Sequence, residues 1–201
     1  IVGAGVPKGA ESHQPFRGLG IEKLKDYWSR FGFDAITGVD LPGETVGFLP
    51  DPEEKQKRTG QIWRIGDTYN VAIGQGDLTV TPLRLLTMIS AIANNGVMMK
   101  PRLSSGEYPE TLADFSDWQE EIKEVRRGLR DAVAKNYGTA NRLYDLPYKT
   151  AGKTGSAQIA NNTKTNAFFV GYGPDSDPEI AILVLVEDAA QGSLNAVPIA
   201  K

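Results

Sequence analysis

Between positions 151 and 158 the chain reads Ala151-Gly152-Lys153-Thr154-Gly155-Ser156-Ala157-Gln158, small residues that carry one cation, two hydroxyls and one amide, set just before two apolar stretches. Read as a strand, the segment has a two-residue side-chain period. Thr154, Ser156 and Gln158 then share one face, and Lys153, Gly155 and Ala157 take the other. Two hydroxyls and an amide therefore point the same way. Gly155 has no side chain and lets a ligand backbone approach closely, while backbone N–H groups on a free strand edge are able to receive an extended peptide or stabilise an oxyanion. By residue frequency alone Lys153 is a solvated strand-end lysine. Acyl chemistry on such a strand also needs a nucleophile, which the segment does not bring.

The same residues admit a competing reading, because Gly152-Lys153-Thr154 is how a phosphate-binding loop ends. That loop requires a glycine where this chain has Pro147, and it must launch a helix whose amides hold phosphate. Residues 155–162 show neither a helical period nor strong helix formers, so the nucleotide reading fails on context. Gly18-Leu19-Gly20 lacks the later glycine and preceding strand of a dinucleotide site. Asp175-Ser176-Asp177 lacks the glycine and distal glutamate of a calcium loop, and both read as turns. There is no cysteine, hence no disulfide and no thiolate metal site, and the single histidine, His13, sits in a Gly/Pro/Ser-rich opening without partner ligands. No metal and no cofactor are expected. With 40% hydrophobic and 23% charged residues and a net charge of -3, the chain forms an ordinary core and has no basic excess for nucleic acid. The longest apolar run, Ile180–Val186, falls far short of the roughly 20 residues that span a bilayer, and no secretory signal opens the chain.

The elements around the segment follow from periodicity and breakers. Residues 1–17 have no stable period and read as a loop. Leu19, Ile21, Leu24, Tyr27, Trp28 and Phe31 predict a helix that Gly32 ends. Thr37–Arg64, with Asp40-Leu41-Pro42-Gly43-Glu44 and the charged Glu53-Glu54-Lys55, predicts a loop-rich excursion with little regular structure, a wall beside the site. Thr81-Pro82 supplies an N-cap and a first helical position for a helix through Leu83, Leu86, Ile89 and Ala93 that stops near Asn95-Gly96. Ser116-Asp117-Trp118-Gln119 fits a capping box opening a second long helix with Ile122, Val125, Leu129 and Val133 on one stripe. Lys149–Ile159, Asn166–Tyr172 and Ile180–Val186 then predict three antiparallel strands joined by turns at Asn161-Asn162 and 174–178. The last of these strands is expected between two layers, with helices over both faces of the sheet. The fold class is α/β of the α+β type, an antiparallel sheet flanked by helices.

Lys153-Thr154-Gly155-Ser156, with Ala151-Gly152 before it and Ala157-Gln158 after it, resembles the Lys-Thr-Gly signature of penicillin-binding proteins and serine β-lactamases. The resemblance extends through Gly66-Asp67-Thr68-Tyr69-Asn70, Ile73-Gly74-Gln75-Gly76, Val80-Thr81-Pro82-Leu83 and Ala91-Ile92-Ala93-Asn94-Asn95-Gly96, in the order of class B penicillin-binding proteins. Thr37–Glu44 upstream, and Asn166–Tyr172 and Ile182–Glu187 downstream, fit the same family. Gly66–Asn70 is closer to its elongation-type transpeptidases than to the division type.

The resemblance implies a partial serine β-lactamase/transpeptidase-like fold and acyl transfer on the D-alanyl-D-alanine end of a peptidoglycan stem peptide, with β-lactams as mimics of the donor. It implies that the Thr154 and Ser156 hydroxyls bind the donor carboxylate, and that Lys153 supplies positive charge beneath the site. The Ser156 backbone N–H would be one oxyanion donor, with Gly155, Ala157 and Gln158 completing the substrate-binding strand. It also implies a place on the outer face of a bacterial cytoplasmic membrane, tethered by an N-terminal helix that these residues lack.

The family needs a Ser-x-x-Lys nucleophile motif and a Ser-x-Asn motif ahead of the Lys-Thr-Gly strand. No serine of the 201 residues has a lysine three positions later, and Ser193-Leu194-Asn195 comes after the last strand, where it reads as a turn opening a helix. Both ends of the chain read as cut. Residues 1–201 are therefore expected to be the C-terminal part of a single transpeptidase domain: loop to 17, mainly helix and loop over 18–148, strands and the start of the last helix over 149–201. The N-terminal half of the same protein is the expected partner and nucleophile source. Without it, one sheet face and helices such as 83–93 are expected to face water. A binding or sensor module of the same fold without catalysis is the alternative.

Overall fold

The structure, a computed structural model, describes residues 18–105, 108–159 and 163–201. The loop expected over 1–17, with His13, and the turn at Asn161-Asn162 lie outside the described residues. The chain divides into two compact units, one of Ile1–Ala35 with Thr45–Thr81, the other of Ile36–Glu44 with Pro82–Lys201.

In the first unit α1 (Gly20–Arg30) buries Ile21 and Leu24 from the expected apolar stripe, and the chain leaves it through Gly32 at φ 70°. That left-handed conformation carries no steric cost for glycine. Two further helices follow, α2 (Pro52–Thr59), which corrects the expectation that 37–64 holds little regular structure, and α3 (Ile65–Ala72), just beyond that stretch. For α2 the local signals are all present. The Asp51 carboxylate accepts the Glu54 N–H at 2.8 Å, and Pro52 opens the first turn. Glu53 and Glu54 sit at the positive end, Lys57 and Arg58 at the negative end, and Gly60 closes the helix at φ 72°. None of its residues is buried, so no apolar stripe marks it in the sequence. On α3, Asp67 accepts the Arg64 N–H and the Lys55 ammonium, each at 2.7 Å, which ties α3 to α2. Lys55, and after it the Arg64 amide, hold the Asp67 carboxyl below the usual carboxylate range.

The second unit contains the sheet. Its helix α4 (Pro82–Ala93) begins at the expected proline and buries Ile89, Ala91 and Ala93, so it does not face water as expected. Asn95 and Gly96 then turn at φ 51° and 99° into a small antiparallel pair, β1 (Val97–Met99) and β2 (Thr111–Asp114), too short for alternation to betray in the sequence. The capping box at Ser116 does not form. Residues Ser116–Trp118 make a 3-10 turn, Asp114 accepts the Ser116 N–H at 2.8 Å, and α5 (Gln119–Ala134) starts after Trp118 with no side-chain cap.

Strands β3 (Ala151–Ile159), β4 (Lys164–Gly173) and β5 (Ile180–Val186) form the expected antiparallel meander, in the order β3-β4-β5. Alternation divides β4 between two cores. Ala167 and Phe169 pack with Leu143, Ala196 and Val197, where α6 (Val197–Ala200) begins, whereas Tyr172 packs with Ile89 of α4, Leu129 of α5 and Ala151. Helices thus lie on both faces, but β5 is not enclosed between layers: Ile180 is 70% and Ile182 37% exposed. It is an outer strand of the three, so helices centred on β4 leave its far side uncovered.

Within the second unit the segment 36–44 is folded on itself by the Glu44 carboxylate and pinned to residues 103 and 104 by that of Asp40. Glu44 accepts the N–H groups of Thr37 at 2.6 Å and Gly38 at 2.9 Å, and Asp40 accepts those of Leu103 at 2.6 Å and Ser104 at 2.7 Å. The Ser104 hydroxyl, followed by the two amides, holds the Asp40 carboxyl well below the usual carboxylate range. A carboxyl whose folded pKa is depressed contributes stability above its unfolded value, near 4, and loses it only as pH falls through the folded value. The pin is therefore expected to hold at neutral and mildly acid pH. Asp40→Asn is expected to speed hydrogen exchange at the Leu103 and Ser104 amides about fivefold at pH 7. Equal exchange in the two proteins would show that the carboxylate holds nothing.

Candidate active site

β3 lies at an edge of its sheet, so half of its backbone groups point away from β4. Register sets Thr154 opposite Phe169 and Ser156 opposite Ala167, on the face expected from alternation. Phe169, 2% exposed, lies across two glycines: a Cβ on Gly152 would come within 2.6 Å of its ring, and one on Gly171 within 2.7 Å. Side-chain-free positions on both strands thus let the ring pack flat against the sheet. Gly155 differs, because its Cβ would meet only the Phe168 Cβ at 3.5 Å, an ordinary contact. Nothing in the internal packing demands glycine there, and the clearance remains for something lying against the strand.

The two hydroxyls are held from outside the strand. Thr154 is buried, and its Oγ1 lies 2.7 Å from the Thr139 Oγ1. Ser156 is exposed, and its Oγ accepts the Gly192 N–H at 3.2 Å. An N–H only donates, so this bond takes a lone pair of Ser156 and leaves its proton directed elsewhere. Gly192 sits so close over the sheet that a Cβ would fall 2.5 Å from the Phe168 carbonyl oxygen and 2.6 Å from that of Gly155. The exposed Lys153 ammonium donates to the Thr154 carbonyl, Ala157 is half-buried and Gln158 is exposed. The structure therefore brings together Thr154 and Ser156 as expected and adds Thr139 and Gly192, which sequence reading missed. Neither has a local signature, because each reaches the strand across a sequence separation that only the chain path closes. Ser193 and Asn195, expected in a turn, lie instead in a π-helical segment (Gly192–Ala196) that runs directly into α6, and the Asn195 side chain accepts the Gln191 N–H at 3.1 Å.

The turn between β4 and β5 is fastened to α5, which packs on β3. The buried Asp175 carboxylate accepts from Arg130 at 2.6 and 3.2 Å, and Arg126 donates to the Asp175 carbonyl at 2.8 Å while its guanidinium stands 5.7 Å from the Tyr172 ring centre. Asp175 pushes the Arg130 pKa up, keeping it charged, and burial pushes the Tyr172 phenol up. An apolar cavity of about 300 Å³, walled by Leu143, Leu146, Phe169, Ile180 and Ile182, includes none of residues 153–158. An edge strand with two oriented hydroxyls, a nearby cation and clearance at a glycine is equipped to hold an extended, anion-terminated ligand.

Residues 12–201 match the family described as the penicillin binding protein transpeptidase domain. Among curated relatives, peptidoglycan D,D-transpeptidase MrdA of Haemophilus influenzae is 32% identical over 91% of this chain and 32% of its own length, and MrdA of Acinetobacter baumannii is 34% identical over 87% and 29%. The chain thus spans about a third of the length of these relatives. Among solved structures, a penicillin-binding protein (PBP2) from Helicobacter pylori superposes with a TM-score of 0.81 at 33% identity, covering 90% of this chain and 34% of that one. PBP2 of Pseudomonas aeruginosa in complex with WCK 5153 superposes with a TM-score of 0.78 at 32% identity, covering 91% and 41%.

Proposed function

This chain belongs to the penicillin-binding protein transpeptidase domain family, and from that membership we propose that it is the substrate-binding part of an elongation-type peptidoglycan D,D-transpeptidase. The observation that carries the reading is the edge strand β3, whose Lys153-Thr154-Gly155-Ser156 stretch presents two hydroxyls on one face in a chain that matches the family almost throughout. In this reading an acyl donor ending in D-alanyl-D-alanine, or a β-lactam in its place, lies along β3. Its carboxylate takes hydrogen bonds from Thr154 and Ser156, and the Ser156 N–H receives the oxyanion that forms when a serine attacks the carbonyl. Each hydrogen bond to a charged group is worth about 1.5 to 3 kcal/mol, so the strand binds and orients the donor without itself forming a bond to it. Collapse of the oxyanion breaks the peptide bond and releases the terminal D-alanine, leaving the acyl group as an ester on the serine; the amine of a second stem peptide then attacks that ester, forms the new amide and frees the serine hydroxyl.

The attacking serine comes from a segment outside residues 1–201, since no Ser-x-x-Lys occurs within them. The N-terminal part of the same protein is its source, completes one transpeptidase domain with this chain, and carries the anchor that holds the enzyme on the outer face of the cytoplasmic membrane. Among the described residues no helix is long and apolar enough to cross a membrane.

Fluorescent penicillin is expected to label the full-length protein covalently and to leave residues 1–201 alone unlabelled, as read by intact mass. A stable adduct on the 201 residues would remove the need for an outside nucleophile. Absence of label on the full-length protein would instead favour the non-catalytic binding module.

A further inference from the structure

We propose that Thr139 is a positioning residue that supports the Thr154 hydroxyl as a donor to the ligand carboxylate by itself donating to the Thr154 oxygen. The inference deepens the transpeptidase reading and rests on it. A threonine hydroxyl has one proton and two acceptor lone pairs, so the 2.7 Å contact between Thr139 Oγ1 and Thr154 Oγ1 has two possible polarities. If Thr154 donates to Thr139, its proton is spent inside the protein. If Thr139 donates, the Thr154 proton is directed to an outside acceptor. An ionised carboxylate offers only acceptors, so its arrival selects the second polarity, and the two hydroxyls then form a chain in which each bond strengthens the next.

The backbone around Thr139 is built to keep it there. After α5, the Gly138 N–H donates to the Lys135 carbonyl at 2.9 Å and the Ala140 N–H to the Ala132 carbonyl at 2.9 Å. The Asn141 side chain reaches back to the Val133 carbonyl at 3.1 Å and the Lys135 carbonyl at 2.9 Å. A Cβ at Gly138 would fall 2.2 Å from the Ala132 carbonyl oxygen, so the turn closes too tightly for any larger residue. Ala140 is fully buried beside it. Thr139 itself is exposed, so its hydroxyl is not needed to fill a core. The rigid turn and the exposed side chain together point to a hydroxyl placed for what it does to Thr154.

The test measures acylation of the full-length protein by benzylpenicillin and by its methyl ester, which lacks the carboxylate charge. Thr139→Val is expected to raise the dissociation constant of the initial benzylpenicillin complex about tenfold. The following acylation step and reaction with the ester are expected to stay near wild type. Thr139→Ser should restore the wild-type constant, and Thr139→Val placed in a Thr154→Val background should add nothing further. Thr139→Ala, which removes the hydroxyl without strain at an exposed site, gives the same reading should Thr139→Val not fold. If the wild type is acylated but the Thr139 variants match it, lose both ligands equally, or add independently to Thr154→Val, the positioning role is overturned and the transpeptidase reading stands. If the wild type is never acylated, both fall.

Discussion

Lys153→Ala in the full-length protein is expected to slow acylation by benzylpenicillin on the order of a hundredfold while leaving the thermal midpoint within about 2 °C of wild type. The two halves of that expectation have separate causes. Lys153 is exposed and its ammonium donates to the Thr154 carbonyl, so its removal uncovers no core and forfeits one side-chain hydrogen bond. Its charge lies on the strand that carries both motif hydroxyls, where in the proposed reaction the donor carboxylate and the developing oxyanion would gather negative charge. A cation fixed before the reaction starts needs no reorganisation as that charge develops, which is why such groups act on rate more than on folding. Stopped-flow acylation alongside thermal melts separates the effects. An unchanged rate would refute the assigned role, and a rate loss matched by a fall in the melting temperature would return Lys153 to a structural part.

Gly152 and Gly155, three residues apart on one strand, are expected to respond to alanine in opposite ways. At Gly152 a methyl group would enter the space of the Phe169 ring, 2.6 Å away, and of the Val170 carbonyl oxygen, 2.7 Å away. Neither yields easily, because the ring is buried and the carbonyl belongs to the neighbouring strand, so Gly152→Ala is expected to cost about 3 kcal/mol in chemical denaturation. At Gly155 the methyl meets one ordinary contact at 3.5 Å. Replacing a strand glycine by alanine there removes unfolded-state freedom, so Gly155→Ala is expected to be as stable as wild type or slightly more so. Its effect should appear in acylation, slowed on the order of tenfold to a hundredfold as the methyl displaces the donor backbone. Equal destabilisation by both changes, or wild-type acylation by Gly155→Ala, would contradict this division between packing glycine and ligand glycine.

The legible parts of the fold were those with a local signal. The meander was readable because two apolar stretches and the small-residue segment before them are separated by short turns, and α1 and α4 because apolar residues recur on one face of each. α2 had every capping signal but buries nothing, so a reading that weights apolar period passed over it. The capping box at Ser116 failed for the opposite reason. The pattern is right, but Asp114 takes the Ser116 amide and a 3-10 turn delays the helix to Gln119. The apolar run of β5 misled because composition reports how much a strand can bury and not how much its neighbours cover.

At the site the same distinction holds at finer grain. Residue order alone determined that Thr154 and Ser156 share a strand face, since side chains in a strand must alternate, and that the 201 residues hold no Ser-x-x-Lys. Only the tertiary structure decided what stands behind each hydroxyl: Thr139, 15 residues before Thr154, and Gly192, 36 residues after Ser156. It also decided that Gly152 serves Phe169 whereas Gly155 leaves room beside the strand. Alternation is a property of neighbouring backbone units and can be read from a string of letters. Contacts across such separations depend on where α5, its closing turn and the segment after β5 are carried by packing, and that is settled only when the whole chain has folded.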